Sequence, residues 1–455
     1  MCGLSGIISK TKMDQSLNKK KLEIMTSLIS HRGPDQAGYL HHKNTLLSHV
    51  RLSVMDPRNL GRQPMSVDNR YAIIFNGEIY NFIELRKRLI DNGYKFFTKT
   101  DTEVALVSFI EWGVEAFNYF NGDWVICLID KKTDKLILAK DNLGSIPIYI
   151  YEDLNYLSFC SEIKGFQAIK DIELNSDLLG FSNLTIQNFN GTKFNNIKQL
   201  AQGSYLEVNL KNLKVISKQW FNPLKNLVKI HPSFNINKEE LFHRLNVATE
   251  LRLDADIKIG TSLSGGIDSS IIFTILNKIE SEKGFNKQID LNPTIVDFKG
   301  NLTKDHAISL SKLYEKKYNI IESGFSYKTE NLKKLFSQLE IIEEYNRQVD
   351  LYKKQRELGI NVSIDGHGAD EFLGMLNFMP QFAFSYFNAI SDLNKINYNY
   401  KSNENIKIME KFFGTMSNVN NTAKLELGNI INLNNFFDDY IEYNKEIVLD
   451  KHFYF

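Results

Sequence analysis

MCGLSGIIS, residues 1–9, is the stretch on which the reading of the first half turns. Gly3 to Ser9 has the composition of a short buried strand, and it starts one residue after Cys2. A residue as small as cysteine behind Met1 lets the methionine be trimmed, so Cys2 is expected to carry its thiol and a free α-amine together. The thiolate is the reactive form, and a thiol pKa of about 8.5 leaves only a few per cent ionised near neutrality. An α-amine titrating near 7.7–8.0 can take the thiol proton directly or through one water. By itself the dipeptide fits an ordinary frayed terminus just as well, and only the rest of the chain separates the two readings.

Working outward, short apolar segments run to about Phe221, separated by Gly, Asn and Asp clusters: NTLLSHVRLSVM, RYAIIFN, DWVICLID, KLILAK, IPIYIYE, YLSFCSE and GSYLEVNL. Their period of two predicts antiparallel sheets. Leu17–Ser30 and Asn81–Asn92 read as helices, giving a layered α+β domain with Cys2 at the outset of the first strand.

Polar clusters interrupt these strands. His31-Arg32-Gly33-Pro34-Asp35 reads as a turn. Arg51 sits among apolar residues in HVRLSVMD. Asn76-Gly77-Glu78 follows a strand, which suits either a hairpin turn or an amide and a backbone N–H aimed at a developing oxyanion. Asp101 opens the helical run TEVALVSFIEW and fits an N-cap.

In this order, MCGLSGII, HRGPD, RLSVMD, FNGEIYN, TDTEVAL, FNGDWVICLID, DNLGSIPIYIY and FCSEIKGF resemble the glutaminase domain of class II glutamine amidotransferases, the family with an N-terminal nucleophilic cysteine. The resemblance implies an αββα N-terminal nucleophile fold. It also implies that Cys2 attacks the side-chain amide of glutamine, Asn76 and Gly77 hold the oxyanion, Arg51 pairs with the α-carboxylate, and Asp101 with Glu78 pairs with the α-ammonium. DNLGSIPIY departs from the family's usual pattern at Asn142 and Ser145.

The chain has 455 residues, 55 Lys plus Arg against 54 Asp plus Glu, a formal charge of +1 and three cysteines. That is enough for two or three domains. It gives no basic or acidic bias toward nucleic acid or an anionic membrane. An odd, small cysteine count points to a reducing compartment, with Cys127 and Cys160 in apolar runs as core residues. No run approaches the ~18 apolar residues of a membrane span, and no signal peptide is recognised at the start. A cytoplasmic protein is expected. Asn394–Ile408, NKINYNYKSNENIKI, reads as a solvated connection.

WFNPLKNLVKIHPSFNIN, residues 220–237, carries two of eight prolines and no clean period. The expected division is 1–225 and 226–455. Beyond it the pattern becomes helix (Lys238–Leu251), strand (IKIGTSL), helix (Ser269–Ile279), as in a parallel-sheet α/β domain. Between that strand and helix lies Ser264-Gly265-Gly266-Ile267-Asp268-Ser269-Ser270. A glycine loop opening onto a helix N-terminus is an anion site, or else a tight turn with Ser and Asp caps. The longer string SLSGGIDSS resembles the pyrophosphate loop of the N-type ATP pyrophosphatases, and lacks the Gly-Lys-Ser/Thr of a Walker loop. A strand TIVDF, a helical run from Asp305 to Lys317, and a strand INVSI come next, the last leading into Asp365-Gly366-His367-Gly368-Ala369-Asp370-Glu371. This resembles the asparagine synthetase motif SGEGADE.

That resemblance implies ATP and Mg²⁺ as cofactors, with Ser262, Ser264, Gly265, Gly266, Asp268, Ser269, Val296, Asp365 and Gly366 about the nucleotide and Asp268 with Asp370 on the metal. Asp365 replaces the motif's Ser and His367 its Glu, so His367 is the acceptor-site candidate. The expected activity is that of an ATP-dependent ligase that draws ammonia from glutamine and amidates an adenylated carboxylate, aspartate first. A uronic acid or specialised metabolite is the alternative acceptor, and a bare glutaminase or a binding protein the second alternative. After Glu371 the chain runs only to Phe455, so the second domain is expected to be short at its C-terminus. Glutamine, ATP and a carboxylate are the expected partners, with a homodimer left open.

Overall fold

The computed structural model describes residues 2–11, 15–56, 59–173, 175, 191–222, 227–229, 233–285, 288–298, 301–323, 348–369 and 448–450. They fall into two compact units. One comprises Met1–Phe181, Asn190–Asn222 and Leu245–Asp365, the other Ser182–Phe189, Pro223–Arg244 and Gly366–Phe455.

The amino-terminal part of the first unit contains twelve strands among the described residues: β1 (Gly3–Ser9), β2 (Gln36–His42), β3 (Thr45–Arg51), β4 (Met65–Val67), β5 (Tyr71–Ile79), β6 (Gly122–Asp130), β7 (Lys135–Lys140), β8 (Tyr149–Glu152), β9 (Tyr156–Cys160), β10 (Ile197–Gln199), β11 (Ser204–Asn209) and β12 (Val215–Gln219). They form two six-stranded sheets in the orders β10–β8–β9–β1–β3–β2 and β12–β11–β7–β6–β5–β4, with antiparallel pairing throughout. Helices α1 (Gln15–Leu28), α2 (Phe82–Asp91) and α3 (Asp101–Trp112) complete the domain.

Alternation along the strands explains the layering. Leu4, Ile8, Leu47 and Phe159 of one sheet share a core with Ala72, Ile74, Val125, Cys127 and Leu138 of the other, so the sheets pack face to face. The next residues along point outward. Ile73, Phe75 and Ile126 meet Phe82, Leu85 and Leu89 of α2 and Val104 and Val107 of α3. Ile7 and Val50 meet Leu22 and Met25 of α1. Each such side chain contributes about 1.5–3 kcal/mol of burial free energy. The result is the expected αββα sandwich, with Cys127 and Cys160 buried in it.

Strands β2 and β12 escaped the sequence reading because they lie at sheet edges with mostly polar or half-exposed side chains. A one-sided apolar pattern has no reason to appear there.

The later part of the first unit is a parallel arrangement. β14 (Ile259–Thr261) pairs with β17 (Val362–Ile364), β15 (Thr294–Asp297) pairs with β16 (Asn319–Glu322), and a parallel bridge joins Ser262 to Thr294. The strand order is therefore β17–β14–β15–β16. Helix α4 (Phe234–Leu251) belongs to this unit from Leu245 onward, and α5 (Ile267–Lys283), α6 (Lys304–Leu313) and α7 (Gln348–Glu357) accompany these strands, with Ile275, Leu276 and Ile279 of α5 packed on Ile259 and Ile364. In the second unit, β13 (Leu227–Lys229) pairs antiparallel with β18 (Val448–Asp450). No helix among the described residues is long and apolar enough to cross a membrane. Residues 394–408, expected from their composition to be a solvated connection, lie outside the described residues.

Candidate active sites

The same period of two that builds the inter-sheet core assembles the first site. Continuing the face of Leu4 and Ile8 one step toward the amino terminus reaches Cys2. Continuing Leu47 reaches His49 and Arg51, Ala72 and Ile74 lead to Asn76 and Glu78, and Val125 leads to Asp123. The register sets Gly3 opposite Val50, Asn76 opposite Val125 and Glu78 opposite Asp123. Polar side chains thus gather where the apolar filling between the sheets stops. His49 marks the border: its Nε2 lies 2.9 Å from the Phe75 carbonyl, and burial lowers its pKa to about 3, so the ring is neutral.

Cys2 is held from both sides. The Arg32 Nε donates to the Cys2 carbonyl at 2.9 Å, and Arg32 Nη1 is fixed by Glu162 Oε1 at 3.0 Å. This gives HRGPD and FCSEIKGF a joint purpose. The Leu52 N–H donates to the Cys2 sulfur at 3.4 Å, and the thiol faces the Leu52 carbonyl at 3.6 Å. Burial pushes the thiol pKa up, and the Leu52 N–H and the Arg51 charge pull it partly back. A thiol in that state needs a base to become a nucleophile.

Arg51 is buried, and its Nη2 donates to the carbonyls of Met55 and Asp56 at 2.8 Å each, while Nη1 reaches Gln36 Oε1 at 3.2 Å. A β-carbon at Gly61 would stand 2.3 Å from Nη2, so the guanidinium lies flat against a glycine.

Asn76 and Gly77 are not a hairpin turn; both lie inside β5. Asn76 is fully buried, and neither its amide oxygen nor its amide nitrogen has a hydrogen-bond partner among the described residues. A buried amide without partners costs about 1–3 kcal/mol. It is therefore a group set aside for something that arrives. Gly77 has φ +141°, and a β-carbon there would meet the Asp123 carbonyl oxygen at 2.0 Å, so only glycine fits between the strands.

Asp101 is not the N-cap of α3. Thr100 is, its hydroxyl accepting from the Glu103 N–H at 3.3 Å. Asp101 is the first helical residue, and its carboxylate accepts from the Ile79 N–H at 3.0 Å. Burial raises the Asp101 pKa to about 6. The Glu78 carboxyl is pushed well above the usual range, first by burial and then by the Asp101 charge. Two facing carboxyls, Asp101 buried and Glu78 half-buried, cannot both ionise readily, and such a pair gains most from a cation between them.

The second site lies at the carboxyl ends of the parallel strands. Ser264 Oγ and Ser269 Oγ are 2.9 Å apart, Gly266 donates its N–H to Ser264 Oγ at 3.3 Å, and the Thr303 hydroxyl donates to the Ser264 carbonyl at 2.6 Å. Gly265 has φ +83°, and a β-carbon would fall 2.0 Å from the Thr303 carbonyl. Helix α5 starts at Ile267, two residues earlier than the pattern suggested, so Asp268 and Ser269 stand in its first turn. Ser262 donates from both N–H and Oγ to Asp365 Oδ1, at 3.0 and 2.6 Å. Asp365 Oδ2 accepts from the Tyr352 hydroxyl at 3.1 Å. Asn301 Nδ2 donates to the Val296 carbonyl at 3.0 Å. Gly366 and His367 fall in the second unit, and Asp370 lies outside the described residues.

Several residues near the first site were given no role from the sequence. The Tyr80 hydroxyl donates to Asp123 Oδ2 at 2.6 Å, Ser145 Oγ donates to Asp123 Oδ1 at 2.8 Å, and the Arg252 guanidinium stacks 4.2 Å from the Tyr80 ring centre. Ser145 is one of the two departures from the family pattern, and this contact is what it makes. Asp35 accepts from the Ser53 N–H at 2.7 Å. Its place in HRGPD was the only available signal. Arg252 and Asp256 precede a strand in an ordinary polar stretch that carried none.

Comparison with known proteins identifies the two domains. Residues 1–221 match the glutamine amidotransferase domain model and residues 240–426 the asparagine synthase model. The chain is 28% identical over 398 residues to asparagine synthetase [glutamine-hydrolyzing] 1 of Bacillus subtilis, covering 83% of this chain and 59% of that protein. It is 32% identical over 333 residues to putative asparagine synthetase [glutamine-hydrolyzing] 2 of Methanocaldococcus jannaschii, covering 65% and 62%. It is 31% identical over 286 residues to asparagine synthetase B [glutamine-hydrolyzing] of Escherichia coli, covering 62% and 46%. The chain thus spans less than two thirds of the length of these relatives. With a glutamine amidotransferase domain followed by an asparagine synthase domain, the chain belongs to the family of glutamine-hydrolysing asparagine synthetases.

Proposed function

We propose that this chain hydrolyses glutamine at Cys2 and delivers the ammonia to a carboxylate, aspartate, activated as its acyl-adenylate with Mg-ATP. The observation that carries the reading is the buried Asn76 amide, without a hydrogen-bond partner among the described residues, at the mouth where Cys2, Arg51, Glu78 and Asp101 converge. The Cys2 sulfur attacks the glutamine amide carbon. Asn76 Nδ2 and the Gly77 N–H hold the oxyanion, Arg51 pairs with the α-carboxylate, and the Glu78–Asp101 pair holds the α-ammonium. The amine freed by loss of Met1 takes the thiol proton and passes it to the leaving ammonia. Cys2 alone then carries the acyl group until water releases glutamate.

For the second half-reaction, Ser264, Gly265, Gly266 and Ser269 offer hydroxyls and backbone N–H groups at the start of α5 to the phosphates. Ser262, Val296, Asp365 and Gly366 line the nucleotide. No trio of His, Cys, Asp or Glu among the described residues is placed to hold a metal. Mg²⁺ would be held by Asp268 and Asp370 together with phosphate oxygens. His367 faces the acceptor. We place the domain division near residue 225 and the protein in the cytoplasm, the latter on a count of three cysteines, too few and too odd for a disulfide framework.

The test is release of AMP and pyrophosphate dependent on glutamine and aspartate, with amide-labelled glutamine to trace the nitrogen. Label appearing in another acid changes the acceptor. Glutamate without pyrophosphate, whatever acid is supplied, would leave only a glutaminase.

The carboxyl pair gives this site a pH signature. Glutamine's ammonium is bound by the ionised form, and burial pushes the Asp101 pKa up to about 6. The charge is therefore present above that pH and lost below it. KM for glutamine is expected to climb roughly tenfold per pH unit below about 6. Asp101→Asn should raise KM and flatten this limb. A KM independent of pH between about 5 and 8 would remove the pair from substrate binding.

A further inference from the structure

The segment Leu52–Asp56 does two things at the glutamine site. At one end it gives the Leu52 N–H to the Cys2 sulfur, and at the other the carbonyls of Met55 and Asp56 grip Arg51 Nη2. It has no regular secondary structure, and Asp56 sits at φ +44°, a conformation uncommon outside glycine. Such a residue persists when its surroundings over-determine it. The Lys99 N–H donates to Asp56 Oδ2 at 3.1 Å. A further restraint comes from a residue 200 positions away: Asp256 Oδ2 accepts from the Asp56 N–H at 2.7 Å. The Asp256 N–H in turn donates to the Val54 carbonyl at 3.1 Å.

Asp256 is itself anchored to the parallel sheet. Gln288 Nε2 donates to its carbonyl at 2.8 Å, the Ile259 N–H donates to the Gln288 carbonyl at 2.8 Å, and β14 starts at Ile259 and runs toward the Ser264 loop. A carboxylate accepting a short hydrogen bond from a backbone N–H is about twice as strong as a neutral pair. It acts here on the backbone that aims Arg51 and the Cys2 sulfur.

We infer that Asp256, from the nucleotide-binding part of the chain, is a positioning residue for the glutaminase site, clamping Leu52–Asp56 so that Arg51 and Cys2 are set for glutamine. Asp256 touches neither glutamine nor the reacting sulfur. The inference rests on the glutamine site proposed above, and its test keeps the two apart.

Full-length protein is alkylated with iodoacetamide at increasing glutamine, and modification of Cys2 is followed by mass spectrometry. Asp256→Ala should raise the glutamine concentration for half-protection of Cys2 by about tenfold or more. Asp256→Asn, whose amide oxygen still accepts from the Asp56 N–H, should stay within about threefold of the native protein. Half-protection unchanged in Asp256→Ala, or an Asn variant as impaired as the Ala variant, overturns the inference.

The buried Cys127 and Cys160 report folding in the same spectra. If they react in Asp256→Ala, that variant has opened, and the Asn variant, compared with Asp256→Leu, carries the test with the same two outcomes. If glutamine fails to protect even the native protein, it is the glutamine site that falls. The clamp is then read from the alkylation rate of Cys2 without glutamine, which Asp256→Ala should change about threefold or more and Asp256→Asn should not. Equal rates in all three proteins overturn the clamp on that readout too.

Discussion

Replacing Cys2 by alanine will bring glutamate release from glutamine down by about 10⁴-fold or to background, while synthesis from free ammonia stays within about twofold. The first half of that expectation follows from the absence of a substitute nucleophile: Cys127 and Cys160 are buried in the sandwich core, away from the mouth. The second half follows from the separation of the chemistry, since nothing at the Ser264 loop depends on the sulfur. The alanine also fits. Cys2 makes its fixing contacts largely through backbone, the carbonyl to Arg32, and the sulfur's hydrogen bonds to Leu52 are long. Steady-state rates with glutamine and with ammonium chloride measure both halves. Loss of both activities together would argue against two separable sites. Intact mass of the active native protein should start at Cys2, because the base assigned to the reaction is that residue's own amine. A fully active protein that retains Met1 would sink this assignment.

Asn76→Ala is expected to cut kcat for glutamine hydrolysis by about 10²–10³-fold, the cost of losing one oxyanion donor, or about 2.7–4 kcal/mol. The same change should leave folding stability unaltered or raise it by about 1 kcal/mol. The two signs oppose each other for one reason. The amide is fully buried with no partner for either polar atom among the described residues, so the folded protein carries it as a liability until an oxyanion arrives. A core asparagine with a structural role would do the reverse, losing stability with little change in turnover. Urea midpoints alongside kcat decide between these. Gly77→Ala is no substitute as a probe, since a β-carbon 2.0 Å from the Asp123 carbonyl would spread β5 from β6 before the chemistry was tested.

Much of this molecule could be read from one dimension. The strands that line the inter-sheet core announce themselves by alternation, and Cys2, Arg51 and Asn76 are the polar ends of those same alternating runs. Edge strands such as β2 and β16 were silent because neither face is fully buried. Helix α7 was silent for a related reason: Gln348–Glu357 is mostly polar or charged and buries only Leu351 and Gln355, too little for a periodic stripe. The Asp101 cap was misassigned because an Asp before a helical run satisfies the capping pattern whether it precedes the helix or begins it. Only the position of Thr100 separates the two.

The order of motifs and the change from antiparallel to parallel sheet are properties of local pattern, so the sequence sufficed for them. Four matters were decided in three dimensions alone: the lack of a partner for the Asn76 amide among the described residues, the glycine-only gap at residue 77, the meeting of the carboxyls of Glu78 and Asp101, and the grip of Asp256 on Asp56. Each depends on which groups share a space after burial has stripped away water, and a chain position records neither the neighbour nor the loss of solvent.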